Sequence, residues 1–107
     1  MSHPREGQVA VIFISEGTGV DGEDYAAAGE AMAALVAEQP GFLGVDWVGG
    51  EDGREITISY WTDDDSAAAW RKHPEHTKIR NDGRGRWLKS YDLMVGTIHR
   101  GHQWERN

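Results

Sequence analysis

No cysteine occurs in the 107 residues. That excludes disulfides, thiol catalysis and cysteine-ligated metals or clusters; it fits a reducing compartment, and a cytoplasmic protein is expected. No apolar run approaches the length of a membrane span. The opening MSHPREGQ is polar, so no signal peptide is expected. Positive charge is short as well: 11 Lys and Arg stand against 18 Asp and Glu, for a net charge of −7. A general nucleic-acid binder is usually basic, so neither nucleic acid nor a membrane is expected as a partner. A chain this short makes one domain with one modest core, and it has little room for the several βαβ units of a dinucleotide fold.

What charge there is lies unevenly. Residues 71–89 hold seven Lys or Arg and two acids, whereas residues 16–30 hold five acids and no Lys or Arg. Within the acidic stretch, Gly17-Thr18-Gly19-Val20-Asp21-Gly22 spells G-x-G-x-x-G between an apolar run and an alanine-rich run. A dinucleotide site presents a helix N-terminus to a pyrophosphate. Here Asp21, Glu23 and Asp24 occupy that N-terminus; they suit the helix dipole but repel phosphate. The motif therefore reads as a loop and cap.

Val9 to Ile14, VAVIFI, is a six-residue apolar run rich in β-branched side chains, which predicts a strand buried on both faces. Asp21 is the expected N-cap of a first helix, with Asp24 completing a weak capping box, and the helix is expected to run to about Glu38. Tyr25, Ala28, Met32, Leu35 and Val36 share one side of it. Gln39-Pro40-Gly41 stops it. Phe42–Val48 reads as a second strand with Leu43, Val45 and Trp47 on one face, and GGEDG turns it into a third strand through Tyr60 and Trp61. Thr62 is expected to cap a second helix, with Asp65 at its third position; Pro74 breaks that helix and opens another carrying Ile79, Gly83 and Trp87. Tyr91–His99 is the fourth strand.

The order β-α-β-β-α-β is the ferredoxin-like α+β plan, an antiparallel sheet with both helices on one face. The other face is also apolar, with Trp47 and Trp61 expected to add bulk to it, and the chain offers no spare element to cover it. A second copy packed sheet to sheet is the expected solution, giving a homodimer onto which the tail with Trp104 could latch.

Three stretches, QPGFLGVDWV, ITISYWTDDDSAAAWRKHPEH and GRGRWLKSYDLMV, resemble the antibiotic biosynthesis monooxygenase domains across roughly residues 9–100. The resemblance implies a dimeric α+β barrel, here a single domain over 1–107 with a core of about 8–100 and a tail over 101–107. It also implies a cofactor-independent oxygenase in which the carbanion of an electron-rich planar aromatic or polyketide-like molecule reduces O2 directly. Such a protein must hold the aromatic, take a proton, stabilise the anion and exclude water. The alternative is a domain of the same fold that binds a small molecule or haem without turnover. The haem-degrading branch uses a first-strand asparagine, a tryptophan after the third strand and a histidine about ten residues beyond it; Trp70 matches, the first strand has no asparagine, and Arg80 stands at the histidine position.

On these grounds His76 is the candidate general base and Arg80 the candidate anion stabiliser. Tyr60, Trp61, Trp70, Arg84 and Trp87 are the candidate substrate-binding residues, the tryptophans as flat walls and Arg84 as a second cation one helical turn from Arg80. Each has a plainer reading: core for the tryptophans and Tyr60, a solvated basic face for the arginines, a hydrogen-bonded buried histidine for His76. His73 with His76, and His99 with His102, are poorly spaced for a metal site, so no metal is expected, and the resemblance implies chemistry that needs no other cofactor. Leu88 stands where related sequences lead one to expect a tyrosine hydroxyl.

Overall fold

The computed structural model describes residues 3–50 and 52–106. Met1, Ser2, the hairpin residue Glu51 and the last tail residue Asn107 lie outside them. The chain runs β1 (Val9–Gly17), α1 (Gly22–Val36), β2 (Phe42–Gly49), β3 (Arg54–Trp61), α2 (Asp64–Arg71), α3 (Pro74–Asp82), a π-helical turn (Gly83–Trp87) and β4 (Leu88–Thr97). The strands form one sheet in the order β2-β3-β1-β4, every neighbouring pair antiparallel. This is the expected ferredoxin-like α+β architecture.

β1 is apolar from Val9 to Ile14 because it is central. Val9 pairs with Trp61 on one side and Thr97 on the other, and the pairing continues to Glu16. Side chains alternate across a strand, so Val9, Val11, Phe13 and Ser15 point to the helices while Ala10, Ile12 and Ile14 point to the rear. The core sits on the helix side: Val9, Trp61 and Ala67 are buried, with Val11, Val36, Phe42 and Trp70 packed around them. Phe42 meets the Trp61 ring edge-on at 5.5 Å.

The helix ends differ from expectation in instructive ways. Asp21 does occupy the N-cap position of α1, but in a left-handed conformation (φ 51°) with no side-chain cap. Its carboxylate lies 3.2 Å from Arg86 Nη1 instead, so the capping box is not formed. Arg86 also reaches Asp24 at 3.4 Å. α1 ends at Val36, two residues before Glu38, where the backbone already turns through Glu38 N–H to the Leu35 carbonyl. Gly41 follows with φ 84°, and a Cβ there would collide with Ser66 and Thr62. Thr62 does not cap α2: its N–H is still donated to the Gly41 carbonyl, and Asp63 caps one residue later, Oδ1 accepting from Ser66 N at 2.7 Å. Pro74 opens α3 as expected, with the His73 ring accepting from Glu75 N. The π-helical turn lets Leu88 pair directly with Gly17, so β4 starts three residues before Tyr91 and stops at Thr97, short of His99.

The two faces of the sheet also need correction. Trp47 and Trp61 both lie on the helix side, opposite Thr57 and Val9, and so add nothing to the rear. Leu43 falls in a bulge between Phe42 and Gly44, which breaks its alternation with Val45 and Trp47. The rear carries Ile12, Ile14, Ile56, Ile58, Val48 and Met94, of which Ile56, Val48 and Met94 are 42%, 67% and 46% exposed. One end of it is covered after all: the segment before β1 folds over so that the Arg5 guanidinium lies 3.7 Å from the Tyr60 ring centre.

Candidate functional site

α2 and α3 bring the first group together. The short break at Lys72-His73 folds α3 back so that the His76 ring stacks on Trp70, centres 4.6 Å apart and planes 15° from parallel. His76 Nδ1 lies 3.0 Å from the Trp70 carbonyl. A carbonyl only accepts, so Nδ1 carries the proton and Nε2 presents its lone pair. Burial pushes the His76 pKa below the ordinary 6.5, and Arg80, Arg71 and His73 nearby add to that; the Trp70 carbonyl opposes it. The neutral ring is therefore favoured at pH 7, the form a general base requires.

Arg80 follows His76 by one turn of α3. Its Nη1 donates to the Arg71 carbonyl at 3.3 Å, and its buried Nε meets no acceptor among the described residues. Arg84 is exposed and turns away from that pair: its Nε donates to the Tyr91 hydroxyl at 2.9 Å, with a second close contact from Nη2. Tyr91 lies against Phe13, ring centres 5.2 Å apart. By register Phe13, Tyr91, Leu93 and Val95 share the helix side of β1 and β4, and Leu93 and Val95 remain 37% and 50% exposed. They form an apolar floor only partly roofed by the helices.

The remaining candidates separate. Trp61 is fully buried, its Nε1 donating to Ser59 Oγ at 2.9 Å, so it is core that backs the site. Tyr60 is on the opposite face of the sheet, under Arg5, donating to Asp46 Oδ2 at 2.7 Å. Burial, then Asp46, raises its pKa; it takes no part in a site on the helix side. Trp87 is buried at 4% exposure below the N-terminal part of α1, its ring 5.6 Å from that of Tyr25. Its Nε1–H meets no acceptor among the described residues.

A second polar group escaped the sequence reading. Glu55, on the helix side of β3 opposite Ser15, accepts from Tyr25 Oη at 3.3 Å and from Trp47 Nε1 at 3.1 Å. Burial and then Glu55 raise the Tyr25 pKa, keeping the phenol protonated as the donor. Period-two alternation could have placed Glu55 beside Thr57 and Ser59 on one face, an unusually polar row for a strand next to the centre. Among the described residues no group of three or more His, Asp or Glu is arranged to hold a metal ion, and no helix is long and apolar enough to cross a membrane.

This fold has known relatives. The family model for antibiotic biosynthesis monooxygenases matches residues 9–82. YqjZ of Bacillus subtilis, an uncharacterized protein, is 40% identical over 104 residues, covering 97% of this chain and 90% of its own. Among solved structures, SnoaB from Streptomyces nogalater, described as a cofactor-independent oxygenase, superposes with a TM-score of 0.73 at 21% identity, covering 92% of this chain and 96% of SnoaB. Rv0793 from Mycobacterium tuberculosis superposes with a TM-score of 0.73 at 15% identity, covering 84% of this chain and 93% of its own. At those identities the superpositions bear on the fold, while the matched residues settle the family. From its first strand to the end of its third helix, then, the chain belongs to the antibiotic biosynthesis monooxygenase family.

Proposed function

We propose that the protein is a cofactor-independent monooxygenase of a planar aromatic substrate, with His76 as the base. The observation that carries this reading is the fixed, neutral His76: Nδ1 tied to the Trp70 carbonyl, ring stacked on Trp70, Nε2 free to take a proton. SnoaB, a cofactor-independent oxygenase, supports the same chemistry by its shared fold.

In the reaction, the substrate lies between α3 and the apolar floor of Phe13, Leu93 and Val95. His76 Nε2 removes a proton from an activated carbon, and the anion spreads onto the ring oxygen. Arg80, with an unshared buried N–H, lowers the energy of that oxyanion. The carbanion reduces O2. For an anthrone the balance is one substrate plus one O2 giving one quinone plus one water: the methylene carbon loses both hydrogens and gains one oxygen atom as a carbonyl. Stacking between aromatics supplies orientation and keeps water from the anion.

The working unit is a homodimer. The rear of the sheet leaves Ile56, Val48 and Met94 exposed beside Ile12, Ile14 and Ile58, and a like face from a second copy would bury them; light scattering at micromolar concentration should give twice the protomer mass. A reducing cytoplasm suits a cysteine-free chain. The function is tested by oxygen uptake with anthrone and with hydroquinones, in the presence of a chelator and without added flavin or haem. Uptake that is lost in His76→Ala supports the reading; equal uptake in the two proteins refutes His76 as base.

A further inference from the structure

We propose that Glu55, Tyr25, Trp47 and Trp87 form a second subsite between α1 and the sheet, which reads a phenolic hydroxyl and a carbonyl on the aromatic ligand. It rests on the reading above, that this side of the sheet holds a planar aromatic, and adds which substituents that molecule carries.

The first observation is an unmatched donor. Trp87 is 4% exposed, and its Nε1–H has no acceptor among the described residues. A buried donor left unpaired is costly, and native proteins pair nearly all of them. Trp61, the other deeply buried tryptophan, does have its partner in Ser59. An N–H of this kind fits a neutral oxygen acceptor, such as a ring carbonyl, that arrives with a ligand.

The second observation is an acceptor held half-used. Tyr25 and Trp47 both donate to Oε2 of Glu55, while among the described residues nothing donates to Oε1 and no cation forms an ion pair with the carboxylate. The two donors fix the carboxylate's orientation and leave Oε1 for a hydroxyl donor. Tyr25 links the two observations, since its hydroxyl is on Glu55 and its ring is against Trp87. A carboxylate repels an anionic ligand and accepts from a neutral phenol, so the subsite selects a protonated hydroxyl on the ring.

The third observation is room. α1 buries none of its residues, and Val45 and Trp47 on the sheet face beside it stay 47% and 62% exposed. α1 therefore leaves the sheet open on its β2 side, next to Glu55, while Trp87 and Ser15 at the far side of the subsite are closed over.

Calorimetric titration with 2,6-dihydroxyanthraquinone and with its dimethyl ether, at mildly acidic pH where the phenols keep their protons, tests the subsite without turnover. The dihydroxy compound should bind wild-type protein about tenfold more tightly than the ether, which cannot donate. Glu55→Gln should erase most of that preference. Trp87→Phe should weaken both ligands several-fold and leave the preference in place, because both retain the carbonyl. Equal affinity of the two ligands for wild type, or a preference that survives Glu55→Gln, overturns the proposal. Should Trp87→Phe fail to fold, the Glu55→Gln arm decides alone. Anthrone oxidation without the hydroxyl preference removes the subsite and keeps the oxygenase; the preference without anthrone oxidation removes the oxygenase and keeps the subsite.

Discussion

The two halves of the helix layer do different work. Under α2 the chain is closed: Trp61 has no exposed surface, Ala67 and Val9 are buried, and Phe42 and Trp70 fill the rim. Beside α1, toward β2, it is open: no α1 residue is buried, Trp47 is largely exposed, and the sheet offers Glu55 and Thr57 where a core would offer valine, with Trp87 and Ser15 buried only on the β4 side. A sheet face that is greasy at one end and polar at the other cannot be covered by two equivalent helices. On the proposed function, the closed half supplies stability and holds His76 rigidly, whereas the open half supplies space and polar partners for a ligand. His76 sits at the boundary, on the helix that continues from the closed half.

This contrast can be broken in several places. The largest expected effect is catalytic: His76→Ala should lower oxygen uptake with anthrone roughly 10²- to 10⁴-fold, the usual worth of a general base, with the far-ultraviolet dichroism unchanged. Next is the core. Trp61→Ala should cost about 3–5 kcal/mol in urea unfolding, and Trp47→Ala, in the open half, no more than about 1 kcal/mol. If the two cost the same, the division of labour is wrong.

A smaller effect follows from the His76 pKa, which is lowered in the folded state from 6.5. Below that value the unfolded chain binds a proton that the folded chain resists, so the stability contributed is complete above pH 6.5 and is lost as pH falls from there through the folded pKa. Wild-type Tm should fall between pH 7 and pH 5, and the slope should be shallower in His76→Phe, which keeps the stack on Trp70. The same shift places the acid limb of the kcat/KM profile below pH 6.5, with a plateau at neutral pH. Asp63→Ala, removing the α2 cap, should lower the Tm by less than the loss of Trp61 does. The smallest change is expected at Arg86→Ala: its contacts with Asp21 and Asp24 are all exposed, and exposed pairs contribute little.

Much of the architecture was legible because it depends on local signals. VAVIFI announces a central strand, Pro40-Gly41 and Pro74 mark helix boundaries, and the alternation after GGEDG gives a hairpin partner. What was not legible depends on distant contacts. The cap of α2 shifts from Thr62 to Asp63 because Thr62 is still paired to Gly41, twenty-one residues earlier. Alternation places Tyr60 and Trp61 on opposite faces but does not say which one meets the helices; the packing of Trp61 on Phe42 and Ala67 decides it. The π-helical turn over Gly-Arg-Gly-Arg-Trp has no periodic signature, so the depth of Trp87 and the early start of β4 were hidden. Glu55 gains its partners from α1, thirty residues away, and from β2 across the hairpin. The helix line put His76 on an inward side of its helix, but neither its stack on Trp70 nor the carbonyl beside Nδ1 was legible.

The most direct measurement is an oxygen-electrode assay of anthrone oxidation across pH, comparing wild type with His76→Ala in chelator-treated, cofactor-free buffer. The account predicts one O2 consumed per quinone formed, a rate that climbs with pH below 6.5 and is flat at neutrality, and near-background uptake in the variant. Uptake no faster than in buffer, or a variant as active as wild type, would contradict it.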